Sequence, residues 1–178
     1  MHIFAALTLM LAVATGAAAS YEDDVVRMSV PAQFEGPTTA EPGHGAKVVA
    51  FVAKHPGESR GTLLQISTYD FGAALAGMPE EKRQEGTDGY LKQFLGGIER
   101  RRQHFSIVKQ EPVVLSGIKA SRAEWTGQVE GQPMSGVMYC VIVGTRVVSF
   151  HTQDFDDAPR ENMNAAIQAI TTVVLKSG

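Results

Sequence analysis

The chain has 178 residues, 44% of them apolar and 20% charged, which excludes disordered and fibrous proteins and is typical of one globular domain. Its net charge of −3 gives no overall field of one sign that would hold nucleic acid or an anionic membrane, so we expect no nucleic-acid partner. A single cysteine excludes an internal disulfide.

Residues 1–19 have the features of a signal peptide. An apolar run extends from Ile3 to Val13, and the small residues Ala17–Ala19 precede Ser20, which fits cleavage after Ala19. The run is shorter than the about 20 residues that cross a bilayer, and no later segment is apolar enough to do so. No Lys or Arg precedes the run, so a buried helix is the alternative. We expect a periplasmic or secreted protein with one mature domain, 20–178.

Three strands are predicted in the first half of the mature chain. Val25–Val30 ends at Pro31, which has no N–H for a ladder, so it is predicted as an edge strand. Ala46–Ala53 and Thr62–Tyr69 are separated by polar, turn-forming residues and are predicted to form a hairpin. The segment between Phe34 and Gly45 is predicted as a loop.

A helix is predicted after Thr87, which has the position of an N-cap. Asp70–Gln84 is interrupted by glycines and a proline, and is predicted as a loop or a short helix. Four apolar residues recur at helical spacing and are expected to face the sheet: Leu91, Phe94, Leu95 and Ile98. Gly96–Gly97 weakens this helix and is expected to let it lie close against the sheet.

Four strands with short connections come next, followed by a helix. The strands are Ser106–Leu115, Ile118–Val129, Met134–Val143 and Arg146–Phe155. The helix opens at Asp157, with Pro159 in its first turn. Its apolar stripe is Met163, Ala166, Ile167, Ile170 and Val174. Short turns between consecutive strands predict an α+β fold, with an antiparallel sheet of about six or seven strands flanked by two main helices.

This order of elements resembles the PsbP-like fold, which is shared by a photosystem II extrinsic subunit, a Ran-binding import factor and many small exported bacterial proteins. The features that match are Val30–Pro31 with Phe34, Gly117 before the strand of Trp125, the closing hairpin, and the last helix after Asp154–Phe155. The resemblance covers about Asp24 to Lys176 and implies an α/β/α sandwich. It implies a binding or assembly role rather than one shared reaction, and it carries no site motif from which functional residues could be assigned.

Cys140 and His151 are the candidate catalytic residues. A two-residue turn at Gly144–Thr145 pairs Val143 with Arg146 and places both candidates on one face, about 7–8 Å apart at Cα. A three-residue loop would place them on opposite faces. In the catalytic hypothesis Cys140 is a nucleophile and His151 its base. The favoured hypothesis is structural, because the thiol lies among large apolar neighbours and His151 is expected near the solvent end of its strand.

The acidic residues before the last helix have two interpretations. Asp154, Asp156 and Asp157, with Glu161, are candidate ligands of a divalent cation. Capping of the helix N-terminus is favoured, because carboxylates complement its dipole and an EF-hand loop pattern is missing.

Arg100, Arg101 and Arg102 form the strongest basic run. They either complement a helix C-terminus or hold an anionic partner, such as lipid headgroups or a cell-wall polymer. Trp125 is either a core residue, the commoner outcome, or a surface binding residue.

These observations favour an exported, non-enzymatic binding or accessory protein of the bacterial envelope, whose partner is an unidentified protein or envelope component. No cofactor or metal is expected. The alternative is a small hydrolase or transferase that uses Cys140 and His151. A third hypothesis is a peripheral envelope protein held by the arginine run.

Overall fold

The computed structural model describes residues 19–43 and 45–176, so the proposed signal peptide up to residue 18 lies outside the described residues. In chain order the strands are β1 (Ala19–Glu22), β2 (Val26–Val30), β3 (Glu35–Gly43), β4 (Ala46–Lys54), β5 (Gly61–Asp70), β6 (Gln103–Leu115), β7 (Ile118–Val129), β8 (Gln132–Val143), β9 (Arg146–Phe155) and β10 (Val174–Leu175). The helices are α1 (Ala73–Ala76), α2 (Glu80–Glu99) and α3 (Arg160–Thr171). The α+β class is confirmed.

Seven strands form one antiparallel sheet in the order β3-β4-β5-β9-β8-β7-β6. The predicted adjacency of the last four long strands, β6 to β9, is confirmed, because short turns join them. Strand β9 also pairs with β5, far away in sequence, and is therefore a central strand. A second sheet has the order β1-β2-β10, so the first predicted strand lies outside the main sheet and is the central strand of the small one. The prediction of an edge strand is wrong, because Pro31 follows β2 and takes no part in its pairing.

Different elements cover the two faces of the main sheet. Neighbouring residues of a strand point to opposite faces. In β8, Tyr139 belongs to the core formed with α3 and the small sheet, whereas Cys140 belongs to the core formed with α2. Helix α2 packs mainly against β7 and β8, which leaves the surface of β5 and β9 open beside it. No helix in the described part of the chain is long and apolar enough to cross a bilayer.

Helix α2 begins seven residues before the predicted N-cap, at Glu80 instead of Thr87. Pro79 is the N-cap residue. The negative charges of Glu80 and Glu81 in the first turn interact favourably with the positive end of the helix dipole. The proline therefore precedes the helix and does not interrupt it. Thr87 lies in the middle part of the helix, and its side chain is buried.

The predicted role of Gly96–Gly97 is wrong. A Cβ atom at these positions would lie 3.9 and 3.8 Å from the Arg100 side chain and near no atom of the sheet. Gly86 makes the close approach instead, because a Cβ there would lie 3.2 Å from the Cδ1 atom of Ile142 in β8.

Two further segments differ from the prediction. Strand β3 occupies a region predicted as a loop. It is exposed along its whole length and pairs only with β4, so its sequence has no buried face that would produce an alternating pattern. Val174, placed on the stripe of the last helix, lies in β10 and is 39% exposed.

Candidate functional site

The hairpin formed by β8 and β9 has the register of a two-residue turn, one of the two alternatives. Val143 pairs with Arg146, Cys140 with Ser149, and Met138 with His151. Cys140 and His151 therefore share one face of the sheet. The Cys140 side chain is completely buried, and burial, together with the charge of Asp88, raises the pKa of its thiol to about 12. The thiol is protonated at neutral pH and has no access to solvent.

His151 does not lie near solvent, contrary to expectation. Its side chain is 6% exposed, because β9 lies between β5 and β8. Its ring packs against Trp125 with 5.7 Å between centroids. Burial, with a smaller effect of the Arg102 charge, lowers the pKa of His151 to about 3. The imidazole is therefore neutral at physiological pH and is a weak base.

Trp125 is a core residue rather than a surface one, with 1% of its area exposed. Its indole lies over Gly136, its neighbour across β7 and β8, where a Cβ atom would come within 2.5 Å of the ring. The absence of a side chain at Gly136 thus makes room for the indole. Phe105 packs against the indole with 5.9 Å between centroids.

The arginine run comes directly after α2, so the chain carries these side chains from the end of the helix towards β6. Arg102 is half-buried, and its guanidinium carbon lies 6.0 Å from the centre of the Trp125 ring. One of its terminal nitrogens donates a hydrogen bond to Oε1 of Gln153 at 3.2 Å. Burial and the neighbouring Arg101 lower the pKa of Arg102.

A cleft of about 380 Å³ lies between the C-terminal half of α2 and the open surface of β5 and β9; we call it the α2 cleft. Its floor consists of three cross-strand pairs, Leu63–Gln153, Gln65–His151 and Ser67–Ser149. Phe94 and Ile98 form part of its helix wall. Its charged rim is formed by Arg100, Arg101 and Arg102.

The cleft brings together His151 and the arginine run, which the sequence pattern gave no reason to connect. It includes floor residues that the sequence analysis missed, notably Gln65 and Ser67 of β5. A signal for them exists, since polar residues recur at every second position there and again at Ser149, His151 and Gln153 of β9. Two central strands that each present a polar face indicate a surface that faces water or a ligand.

The three aspartates before α3 have separate partners and form no cation site. In the part of the chain that the structure describes, no cluster of three or more potential metal ligands occurs. Asp156 accepts hydrogen bonds from Ser135 and Arg160, and the Asp157 carboxylate lies 3.6 Å from the Arg60 guanidinium. Helix α3 starts after Pro159 without a side-chain cap hydrogen bond, so these aspartates do not cap it by hydrogen bonding. Glu161 lies in its first turn, where a carboxylate complements the helix dipole, as predicted.

Asp154 instead belongs to a buried polar network at the end of the sheet. Its carboxylate lies 3.0 Å from Nε2 of His55 and accepts a hydrogen bond from the Thr62 hydroxyl at 2.5 Å. It also accepts one from the amide of Phe155 at 2.8 Å. All three side chains, those of His55, Thr62 and Asp154, are buried. The network joins the β4–β5 turn to the end of β9.

Comparison with solved structures identifies the architecture. Over 96% of its length the chain matches 99% of cyanobacterial PsbP (CyanoP) from Synechocystis sp. PCC 6803, with a TM-score of 0.64 and 12% identity. The chain has the PsbP-like fold. Over 92% of its length it also matches all of a protein of unknown function from Pseudomonas aeruginosa, with a TM-score of 0.54 and 16% identity.

A third similar structure has a described role. LpqN, involved in cell envelope biogenesis of Mycobacterium tuberculosis, matches 79% of the chain over 84% of its own length, with a TM-score of 0.52 and 14% identity. No protein-family model matches the sequence, and no curated protein matches it. At these identities the similarity is one of fold.

Proposed function

We propose that the protein is an exported accessory protein of the bacterial envelope, which binds a small ligand in the α2 cleft without transforming it. The observation that carries the proposal is the polar floor of the cleft. Central strands of a sheet normally carry apolar side chains where they are buried. Here β5 and β9 place five polar side chains on the floor of the cleft, three of them buried, and the arginines form its rim.

The thiol chemistry weighs against the hydrolase or transferase alternative. A Cys–His enzyme needs a thiolate that reaches its substrate and a base that takes up a proton near neutral pH. Cys140 is sealed beneath α2, and His151 has a pKa of about 3. Neither group meets the requirement in this arrangement.

Export is supported by the apolar run Ile3–Val13 and the small residues Ala17–Ala19. Cleavage after Ala19 leaves Ser20–Glu22 paired with β2, so the small sheet survives processing. The described role of LpqN in envelope biogenesis agrees with this location. Mass spectrometry of the protein from its host tests it: we expect a mature N-terminus at Ser20, and an intact Met1 in the cytoplasmic fraction would contradict export.

Ligand binding is tested by native mass spectrometry of protein isolated from its host envelope. We expect an additional mass that is released on denaturation. The variant Gln65→Trp places an indole in the cleft and should abolish that mass. Gln110→Trp is the matched control, because it makes the same substitution on the exposed surface of β6. An additional mass retained by Gln65→Trp would exclude the cleft as the binding site.

A further inference from the structure

Three nitrogen atoms at one end of the α2 cleft are buried without a hydrogen-bond partner among the described residues. They are Nε of Arg102, Nε1 of Trp125 and Nε2 of His151. Their side chains are contiguous, since the imidazole of His151 and the guanidinium of Arg102 both pack against the indole of Trp125. Arg102 and His151 line the cleft, and Trp125 lies behind them.

The three nitrogens lack hydrogen-bond partners, and the groups that carry them are mainly donors. Guanidinium and indole nitrogens only donate hydrogen bonds, and a neutral imidazole donates one from whichever nitrogen carries its proton. A buried donor without an acceptor is destabilising. Within the cluster, the acceptor that the structure shows is the amide oxygen of Gln153, which receives one hydrogen bond from Arg102. A ligand that satisfies the guanidinium of Arg102 at this end of the cleft must therefore bring acceptor oxygens.

The charge of the cleft favours an anion. The chain has 19 acidic and 16 basic residues, yet the lining of the cleft contains Arg100, Arg101 and Arg102 and no Asp or Glu. Within the described residues, none of the three arginines forms an ion pair with a carboxylate. Unpaired guanidinium groups bind carboxylates and phosphates through charge-assisted, bidentate hydrogen bonds.

The remainder of the cleft is suited to an apolar body. Leu63 on the floor and Phe94 and Ile98 on the helix wall line it beside the polar groups. Its volume of about 380 Å³ lies at the small end of the range of ligand pockets.

We infer that the α2 cleft binds a small amphipathic anion, whose carboxylate or phosphate group lies against Arg102 and His151 and whose apolar body lies along α2. This inference rests on the proposed binding function and specifies the chemical class of its ligand.

The indole of Trp125 provides the readout, because it is the only tryptophan and it packs against both Arg102 and His151. The purified mature protein is titrated with hexanoate, with hexyl phosphate and with neutral hexanol, and its intrinsic fluorescence is recorded. Vesicles of phosphatidylglycerol are a separate arm, which distinguishes a lipid headgroup from a free anion. We expect at least one soluble anion to bind about tenfold or more tightly than hexanol.

Substitutions locate the site. Arg102→Gln should weaken anion binding about tenfold or more, and Arg101→Gln should weaken it less, since Arg101 is an exposed rim residue. Arg101→Gln also serves if Arg102→Gln fails to fold, which circular dichroism detects. Lys92→Gln is the control: it removes the same charge from an exposed position of α2 outside the cleft, and should leave binding within about twofold.

The outcomes separate this inference from the proposed function. Hexanol binding as tightly as the anions, lost in Gln65→Phe, which fills the cleft without adding a second indole, would overturn the anion and leave a ligand-binding cleft. Anion binding that survives both arginine substitutions would overturn the assignment of the head group. Binding to vesicles alone, sensitive to Arg102→Gln, supports the anionic chemistry with a lipid as its source. Failure of every probe to bind, while the native protein carries an additional mass, overturns the inference alone.

Discussion

Cys140 and His151 lie on the same face of the sheet and are both uncharged near neutral pH, because burial penalises the charged form of each group. The charged form of a thiol is the anion, so burial raises its pKa, and the charged form of an imidazole is the cation, so burial lowers it. The values of about 12 for Cys140 and about 3 for His151 obey this rule in opposite directions. Their proximity in the sheet therefore does not make a catalytic pair.

The first prediction concerns Cys140. Cys140→Ser should lower the free energy of unfolding by about 1–3 kcal/mol, because it buries a hydroxyl without a hydrogen-bond partner. Cys140→Ala should cost less, through a small cavity. Urea denaturation measures both. Thiol labelling of the folded protein should be slow from pH 6 to 9 and should accelerate only with denaturant. Rapid labelling at pH 6 that His151→Ala abolishes would restore the catalytic hypothesis.

The second prediction concerns Asp154, which accepts hydrogen bonds inside the buried network with His55 and Thr62. Asp154→Asn replaces an acceptor oxygen with a donor and should lower the free energy of unfolding by about 1–3 kcal/mol. Asp157→Asn is the matched control: its side chain is 69% exposed, and its loss should change stability by less than about 0.5 kcal/mol. Equal effects of the two substitutions in urea denaturation would show that the network contributes nothing.

At the scale of elements, α2 has two kinds of glycine. Gly86 faces the sheet, close to Ile142 and Met78, whereas a Cβ at Gly89 would meet no atom within 4 Å. Four glycines within a helix of 20 residues reduce its intrinsic stability, and its burial of Leu91 and Leu95 against the sheet compensates for that.

The third prediction rests on this difference. Gly89→Ala should raise the free energy of unfolding by about 0.5–1 kcal/mol, because alanine has the higher helix propensity and the added methyl group meets open space. Gly86→Ala should give a smaller gain or a loss, since its Cβ would lie 3.2 Å from the Ile142 and Met78 side chains. Thermal unfolding ranks the two variants. A larger gain for Gly86→Ala would mean that α2 packs differently on the sheet.

At the scale of the whole molecule, Asp23 joins the small sheet to the main one. It accepts hydrogen bonds from the Tyr21 hydroxyl and the backbone amides of Val25 and Val26, and it pairs with Lys47 of β4 at 2.9 Å. Burial alone would raise the pKa of Asp23, but these hydrogen bonds outweigh burial and lower it to about 2.

The fourth prediction is the resulting pH dependence. The folded pKa of Asp23 lies below the unfolded value of about 4, so its contribution is fully present above pH 4 and is lost as the pH falls towards 2. We expect it to be about 1–2 kcal/mol, since the group is partly exposed. Asp23→Asn should flatten the loss of stability between pH 4 and pH 2, measured by urea denaturation. The neighbouring substitution Asp24→Asn should preserve the slope, and an equal flattening would assign the effect to surface charge in general.

Local patterns predicted much of the fold. Strand alternation, the stripe of α2 and the turn at Gly144–Thr145 act over a few residues, so they are readable without tertiary information. A two-residue turn there was one of two alternatives for the register of β8 against β9. The structure has it, and Gly144 adopts a φ of 59° that favours glycine. Local patterns failed at β3, among other places, because it has no buried face, and at Pro79, because a proline can either interrupt a helix or precede one.

The sequence by itself determined the α+β class and the antiparallel order of β6 to β9, because turns and periodicity are local properties. It left two registers open for Cys140 and His151, and the structure decided between them. Only the tertiary structure decided the site. Pairing of β5 with β9 aligned Gln65 with His151, and it brought together His55 and Asp154, which are 99 residues apart. Such distant pairings depend on how the whole chain buries its apolar surface, which no short segment encodes. The burial of His151 and the formation of the cleft both result from these pairings.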